Sequence, residues 1–328
     1  MVSLACLKID YISAKKISFY LVFLSIYTIF ARRMHKKKTF ATILAVLLTV
    51  CLLLSACRKQ ADGKQWNAVY YWRTSLTLSA KELQFLNRYH IQKMYCRYFD
   101  VVMDEQTTSP RPNATITFNG QLPAGVEIIP TVYITEDCMH EYHEGLARKL
   151  VERILQMNKT NAIEGVGELQ MDCDYTSRSR RCYYAFLEEV RSIAAEHGLR
   201  LSATIRLHQL QMAPPPVDYG VLMLYNTGDP RKFEKRNPIL DLRDVFPYAS
   251  HLPSYRLQLA AAYPVYRWVR HIQGVQVEHT VAADEILQVK SLVEQQRPEL
   301  RHSIITYHLD EENIDRYKDN TYEAIYHH

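Results

Sequence analysis

The chain has 328 residues, 48% apolar and 23% charged, with 13 Pro but only 10 Gly and 7 Cys. That composition is globular; it excludes collagen-like and disordered chains and is too poor in Cys for a disulfide scaffold. Neither G-x-G-x-x-G nor G-x-x-x-x-G-K-[ST] occurs, which removes the main support for the two commonest nucleotide-binding loops.

The formal charge of +5 is a property of the N-terminal end. Residues 1–57 hold eight Lys and Arg against the single Asp10, and taking these from the totals of 40 and 35 leaves 32 basic and 34 acidic residues elsewhere. The basic excess therefore belongs to targeting, and no nucleic-acid partner is expected. Met34-His-Lys-Lys-Lys opens a cationic region, followed by an apolar run from Thr39 to Leu54 that is shorter than a comfortable membrane span. The run ends in Leu54-Ser55-Ala56-Cys57, which resembles a bacterial lipobox. That resemblance implies a lipid-modified Cys57 and removal of what precedes it; no acidic run follows Cys57, so attachment to the outer membrane facing the periplasm is expected. The alternative is an uncleaved anchor helix. A second apolar stretch, Ile17 to Phe30, precedes Arg32-Arg33; Met34 is then the expected true start. Residues 1–57 are thus assigned to the signal region, 58–65 to a tether and 66–328 to one domain.

Within that domain short β-rich runs alternate with amphipathic helical segments, the pattern of a parallel sheet with crossover helices. Val69 to Trp72 is predicted as the first strand, and Ser79-Ala-Lys-Glu82 as a capping box opening the first helix. Ile91 to Val102 is the second strand, followed by a polar loop through Pro110, Pro112 and Asn113. Val126 to Ile134 is the third, and the spacing of Leu146, Leu150, Ile154 and Leu155 predicts the next helix. Leu169 to Asp174 is the fourth strand, with Tyr183 to His197 as its helix and Gly198 ending it. Leu201 to Leu207, Val221 to Tyr225 and Leu257 to Ala262 are the fifth to seventh. A helix over 282–296, an eighth strand from Ser303 to His308 and a helix over 312–326 complete the chain. Eight strands and 272 residues after the signal favour a closed (β/α)₈ TIM barrel.

In a barrel, alternate residues face the interior, and function gathers at the C-terminal ends of the strands. Gln170, Asp172 and Asp174 then share the inner face of strand four. Two carboxylates this close repel each other in a partly desolvated mouth, which raises at least one pKa and suits a general acid. The inert alternative is neutralisation by Arg206 or Arg97. Thr204, Arg206 and His208 share a face of strand five. Strand six ends Tyr225-Asn226, strand eight ends Tyr307-His308, and strand one ends Trp72-Arg73. Aromatic rings beside acids suit carbohydrate, whose rings offer C–H faces to aromatics and hydroxyls to acids and amides.

Gln170-Met-Asp172-Cys-Asp174 resembles the strand-four D-x-D-x-E of the family-eighteen glycoside hydrolases, the chitinase-like barrels. Met223-Leu-Tyr225-Asn226 is similar to their strand-six M-x-Y-[DN], and the run into Tyr263-Pro264-Val-Tyr266 to their strand seven. The resemblance implies Asp174 as proton donor, Asp172 as the group that orients a substrate N-acetyl nucleophile, Tyr225 as its hydrogen-bond donor and Asn226 as support. Gln170, Trp72, Arg206, His208 and Tyr307 complete the expected sugar contacts. The chain departs from the family in Asp174, one methylene shorter than Glu, in Gln170 for Asp, and in Thr131-Val-Tyr-Ile-Thr135 where S-x-G-G stands. The fuller likeness, over most of residues 66–328, is to uncharacterised bacterial lipoproteins with glycosidase-like barrels.

No C-x-x-C occurs, and His140-Glu-Tyr-His143 lacks H-E-x-x-H spacing, so no metal and no cofactor is expected. A Cys173–Cys182 disulfide stays open. Arg178-Ser-Arg-Arg181 reads as a solvated helix start, with an anionic glycan as the alternative. The expectation is a monomeric, membrane-anchored, glycan-active protein, a possible hydrolase; the competing readings are a non-catalytic glycan binder and a structural envelope lipoprotein.

Overall fold

The structure is a computed structural model and describes residues 65–228, 236–272 and 275–327. The lipobox and Cys57 lie outside the described residues. Eight strands form the barrel: β1 (Trp66–Tyr71), β2 (Ile91–Met103), β3 (Glu127–Ile134), β4 (Glu168–Asp172), β5 (Arg200–Ile205), β6 (Tyr219–Met223), β7 (Leu259–Pro264) and β8 (Ser303–Tyr307). Each pairs in parallel with the next, and β1 pairs with both β8 and β2, so the sheet closes on itself. This is the single-domain (β/α)₈ architecture that the strand count favours, and closure removes the exposed sheet edge.

Helices α1 (Ala80–Arg88), α2 (Leu146–Thr160), α3 (Arg180–Glu196), α4 (Leu242–Ala249) and α5 (Ala283–Gln296) lie in the crossovers, and α6 (Glu311–Arg316) and α7 (Asp319–Tyr326) follow β8. The capping box forms as predicted. Glu82 N–H donates to Ser79 Oγ at 3.2 Å, and Ser79 N–H donates to Glu82 Oε2 at 2.9 Å. Gly198 follows α3 with φ +71°, a left-handed position where a side chain would be strained.

Two crossovers carry no α-helix. After β2 the chain doubles back as Pro110–Asn113, antiparallel to the end of β2. Pro110 and Pro112 lack an N–H, so that short strand suits an outer edge. After β5 comes a 3₁₀ turn, Leu207–Gln211, before Pro214-Pro215-Pro216, a run that cannot continue a helix. β7 begins two residues later than its apolar run, because the buried Arg297 guanidinium donates to the carbonyls of Leu252, Tyr255 and Leu257 and holds that approach as a loop. A hairpin, Trp268–Ile272 with Val275–His279, follows β7 and has no counterpart in the periodicity reading.

The barrel interior is layered by strand alternation. Near the strand starts, Glu168 accepts from Lys93 Nζ at 2.8 Å and from the Ser202 hydroxyl at 2.7 Å. One layer up, Gln170 accepts from the Tyr70 hydroxyl at 2.7 Å and donates to Ser202 Oγ at 3.3 Å. Buried polar groups need such partners, and the two lower layers supply them. The layer above is the mouth.

Candidate active site

Asp172 is the last residue of β4, buried, with Oδ1 accepting from the Thr204 hydroxyl of β5 at 2.6 Å. Asp174 lies two residues past the end of the strand, its side chain 49% exposed. The expected strand to Asp174 is therefore shorter, yet both carboxylates stay on one side of the chain. Arg206, directly after β5, joins them: its Nε donates to Asp174 and its Nη2 lies 3.6 Å from Asp172 Oδ1. Burial works against the guanidinium's charge, and Asp174 with Asp172 more than offsets that. Arg97 has no share in this pair. It forms a two-pronged ion pair with Asp100 and lies 5.6 Å from the Trp72 ring.

Desolvation pushes the Asp172 carboxyl up to about 6; the Arg206 charge opposes the rise and the Asp174 charge adds to it. The expectation of one raised carboxyl thus falls on Asp172, the buried member. At mildly acidic pH this buried group holds a proton. That is what a general acid requires.

Aromatic rings surround the acids. Tyr225 stacks on Tyr307 with centroids 4.5 Å apart, and Trp72 lies 5.7 Å from Tyr307 and 5.9 Å from Tyr70. Tyr266 meets Tyr307 edge-on at 5.4 Å, and its hydroxyl donates to Asn226 Oδ1. Asn226 is exposed and sits at φ +53°, a conformation Asn tolerates better than most residues. Burial raises the Tyr70, Tyr225 and Tyr307 phenols well above 10, so all stay protonated as donors.

Asp172, Asp174, Arg206, Tyr225, Asn226, Trp72 and Tyr307 therefore meet at one end of the barrel. Gln170 lies beneath them, fully buried and bonded to Tyr70 and Ser202. His208 falls outside the group: the 3₁₀ turn carries it away from the β5 face, and its Nε2 lies 3.3 Å from the Tyr175 carbonyl oxygen. Cys173 and Cys182 are free thiols. Among the described residues no cluster of three or more His, Cys, Asp or Glu is placed to hold a metal, and no helix is long and apolar enough to cross a membrane.

Three mouth residues were given no role from the sequence, although Tyr266 and His308 stood in the runs quoted for strands seven and eight. Tyr133 of β3 feels the charges of Asp174, Asp172 and Arg206, and burial raises its phenol. Tyr266 holds Asn226. His308, next to Tyr307, is depressed by burial despite Asp310 with its Oδ2 3.4 Å away. With 23 Tyr in the chain, no single one stands out; inward alternation along β3 was the available signal for Tyr133.

No family model matches the chain, and no curated protein matches it. Solved structures do. A chitinase from Bacteroides thetaiotaomicron superposes with a TM-score of 0.51 at 11% identity, over 80% of this chain and 98% of that one. A class V chitinase from Pseudomonas fluorescens Pf-5 gives 0.51 at 12% identity, over the same shares. At such identity the likeness establishes the fold, a chitinase-like TIM barrel.

Proposed function

We propose that the chain is a membrane-anchored, glycan-active protein whose sugar site is the C-terminal mouth of the barrel. The observation that carries this reading is the Asp172–Arg206–Asp174 bridge beneath the Trp72, Tyr225 and Tyr307 rings. Acids beside aromatic rings match the alternating polar and apolar faces of a sugar ring. The solved chitinases that share the fold support the same class of ligand.

For hydrolysis, Asp172 is the better-placed acid. It is buried, inward and protonated below about pH 6, whereas Asp174 is half exposed and held by Arg206. This exchanges the roles that the motif resemblance implies for the two aspartates. Tyr225 and Asn226 would position the sugar, and an N-acetyl group on it would serve as internal nucleophile, as in the substrate-assisted exceptions to the two-carboxylate scheme. The lipid anchor at Cys57 is part of the proposal and rests on Leu54-Ser-Ala-Cys57.

A second reading, sugar binding without cleavage, is favoured by Arg206, since a guanidinium serving both carboxylates also makes a stable inert network. A glycan-array screen run beside a hydrolysis assay on the same preparation separates the two. Binding with cleavage supports the enzyme, binding alone supports the binder, and the absence of both refutes the glycan reading.

A further inference from the structure

A donor in the mouth lacks an acceptor among the described residues. Arg206 Nη1 is buried and makes no hydrogen bond to any of them, although Nε of the same guanidinium is held by Asp174. The Arg206 charge is felt by the phenols of Tyr70, Tyr133, Tyr225, Tyr266 and Tyr307, from five sides of the barrel, so the guanidinium is central to the mouth. Its carbon lies 5.6 Å from the Tyr225 ring centre. The hydroxyls of Tyr133, Tyr225 and Tyr307 have no hydrogen-bond partner among the described residues. Among the described residues the unmatched polar groups of this floor are therefore mostly donors, an Arg N–H pair and phenols, with the buried Nδ1 of His308 beside them.

A neutral N-acetyl group offers Arg206 one carbonyl acceptor, and its N–H would be met by the aspartates, not by the guanidinium. A carboxylate offers two oxygens and only acceptor sites, and it matches a guanidinium edge in plane. We propose that the mouth selects a glycan unit bearing a carboxylate, docked on Arg206 Nη1 with help from the Tyr225 and Tyr307 hydroxyls. This deepens the glycan reading and rests on it. Repulsion from the aspartates works against such a ligand and is smallest below about pH 6, where Asp172 holds a proton and Arg206 has only the half-exposed Asp174 to balance. Leaving a buried guanidinium donor unmatched is costly, so a ligand oxygen there gains more than one placed at an exposed Arg.

The test is calorimetric titration with two matched pairs of probes. One is a tetrasaccharide alternating glucuronic acid and N-acetylglucosamine, against the same sugar with its carboxylates reduced to alcohols. The other is an amino-sugar disaccharide carrying a lactyl ether, against its methyl ester; the two pairs distinguish a ring carboxylate from a lactyl one. The acid form of at least one pair should bind about tenfold or more tighter than its neutral partner, the scale of a charge-assisted hydrogen bond. Arg206→Met, checked for folding by its melting curve, should erase that preference, and Tyr307→Phe should reduce it. Equal binding of acid and neutral forms by the wild type overturns the proposal and leaves the glycan reading standing. Failure of all four probes also overturns it, while the glycan array decides the broader reading by itself.

Discussion

The rings of Tyr225 and Tyr307 stack at 4.5 Å and 29°, which joins the ends of β6 and β8 across the intervening β7. The contact is part of the wall and part of the site. Tyr307 also touches Tyr70, Trp72 and Tyr266, so one side chain ties four strands' ends together. Tyr307→Ala should lower stability by about 2–4 kcal/mol, on the scale of an aromatic-to-Ala change in a packed site, and weaken sugar binding. Tyr307→Phe should keep most of the stability, since the hydroxyl has no partner among the described residues. Chemical denaturation of both variants checks this, and equal losses in the two would show that the ring contacts carry little.

Gly220 in β6 is the most closely hemmed in of the described glycines. A Cβ there would lie 2.8 Å from Ile205 Cγ1, 2.9 Å from Leu259 Cδ2 and 3.1 Å from Leu257 Cδ2. Its neighbours on both flanking strands must shift to admit a methyl group. Gly220→Ala should therefore cost about 1–3 kcal/mol, as overpacking does, against the small gain expected from a stiffer unfolded chain. A melting temperature equal to or above wild type would contradict the packing argument.

How much of this was legible beforehand follows from which signals are local. The eight strands show as short β-rich runs between helical segments, and the Ser79–Glu82 cap in four consecutive residues. The inward set Gln170 and Asp172 follows from strand alternation. Asp174 and His208 were placed by extending that alternation past Asp172 and Ile205, where the backbone leaves the strand. Arg206 kept its place because it is the first residue beyond β5. The assignment of the raised carboxyl needed burial, which depends on β5 and on rings from distant strands. The 268–279 hairpin is a local addition with no period of its own to reveal it.

The anchor is tested without reference to the barrel. If Cys57 carries lipid, the wild type should incorporate labelled fatty acid and fractionate with membranes, and Cys57→Ala should do neither in mature form. Label retained by Cys57→Ala would rule the lipobox out.

Asp172 also leaves a mark on stability against pH. Its folded pKa is raised to about 6 from an ordinary carboxyl value of 3.8. A raised acid favours the folded state below the unfolded pKa, and that contribution is lost as pH rises from about 4 through 6. Above pH 6 the buried charge is a standing penalty, only partly relieved by Arg206. Asp172→Asn should therefore gain stability relative to wild type between pH 4 and pH 7, by an amount on the order of 1–3 kcal/mol. Denaturation at pH 4 and pH 7 reads the difference directly; a pH-independent gap between the two proteins would mean that Asp172 titrates normally.

The same titration sets the expected behaviour of the enzyme, if cleavage is found. An acid with a pKa near 6 is protonated at pH 5 and mostly ionised at pH 7, so turnover should fall as pH rises through 6. Asp172→Asn keeps the shape and the Thr204 contact but has no carboxyl proton to give, and should lose about 10²–10⁴-fold in kcat with sugar binding largely kept. Asp174→Asn should act differently. Its carboxylate holds Arg206 from a half-exposed position, so the amide loosens the guanidinium and affects KM more than kcat. The two variants therefore separate proton donation from positioning. A collapse of kcat in Asp174→Asn with Asp172→Asn still active would reverse the assignment, returning the acid to the residue that the motif alone points to. In that case Asp174 must turn inward when sugar binds and release Arg206, and the alkaline limb of the pH profile should no longer follow Asp172.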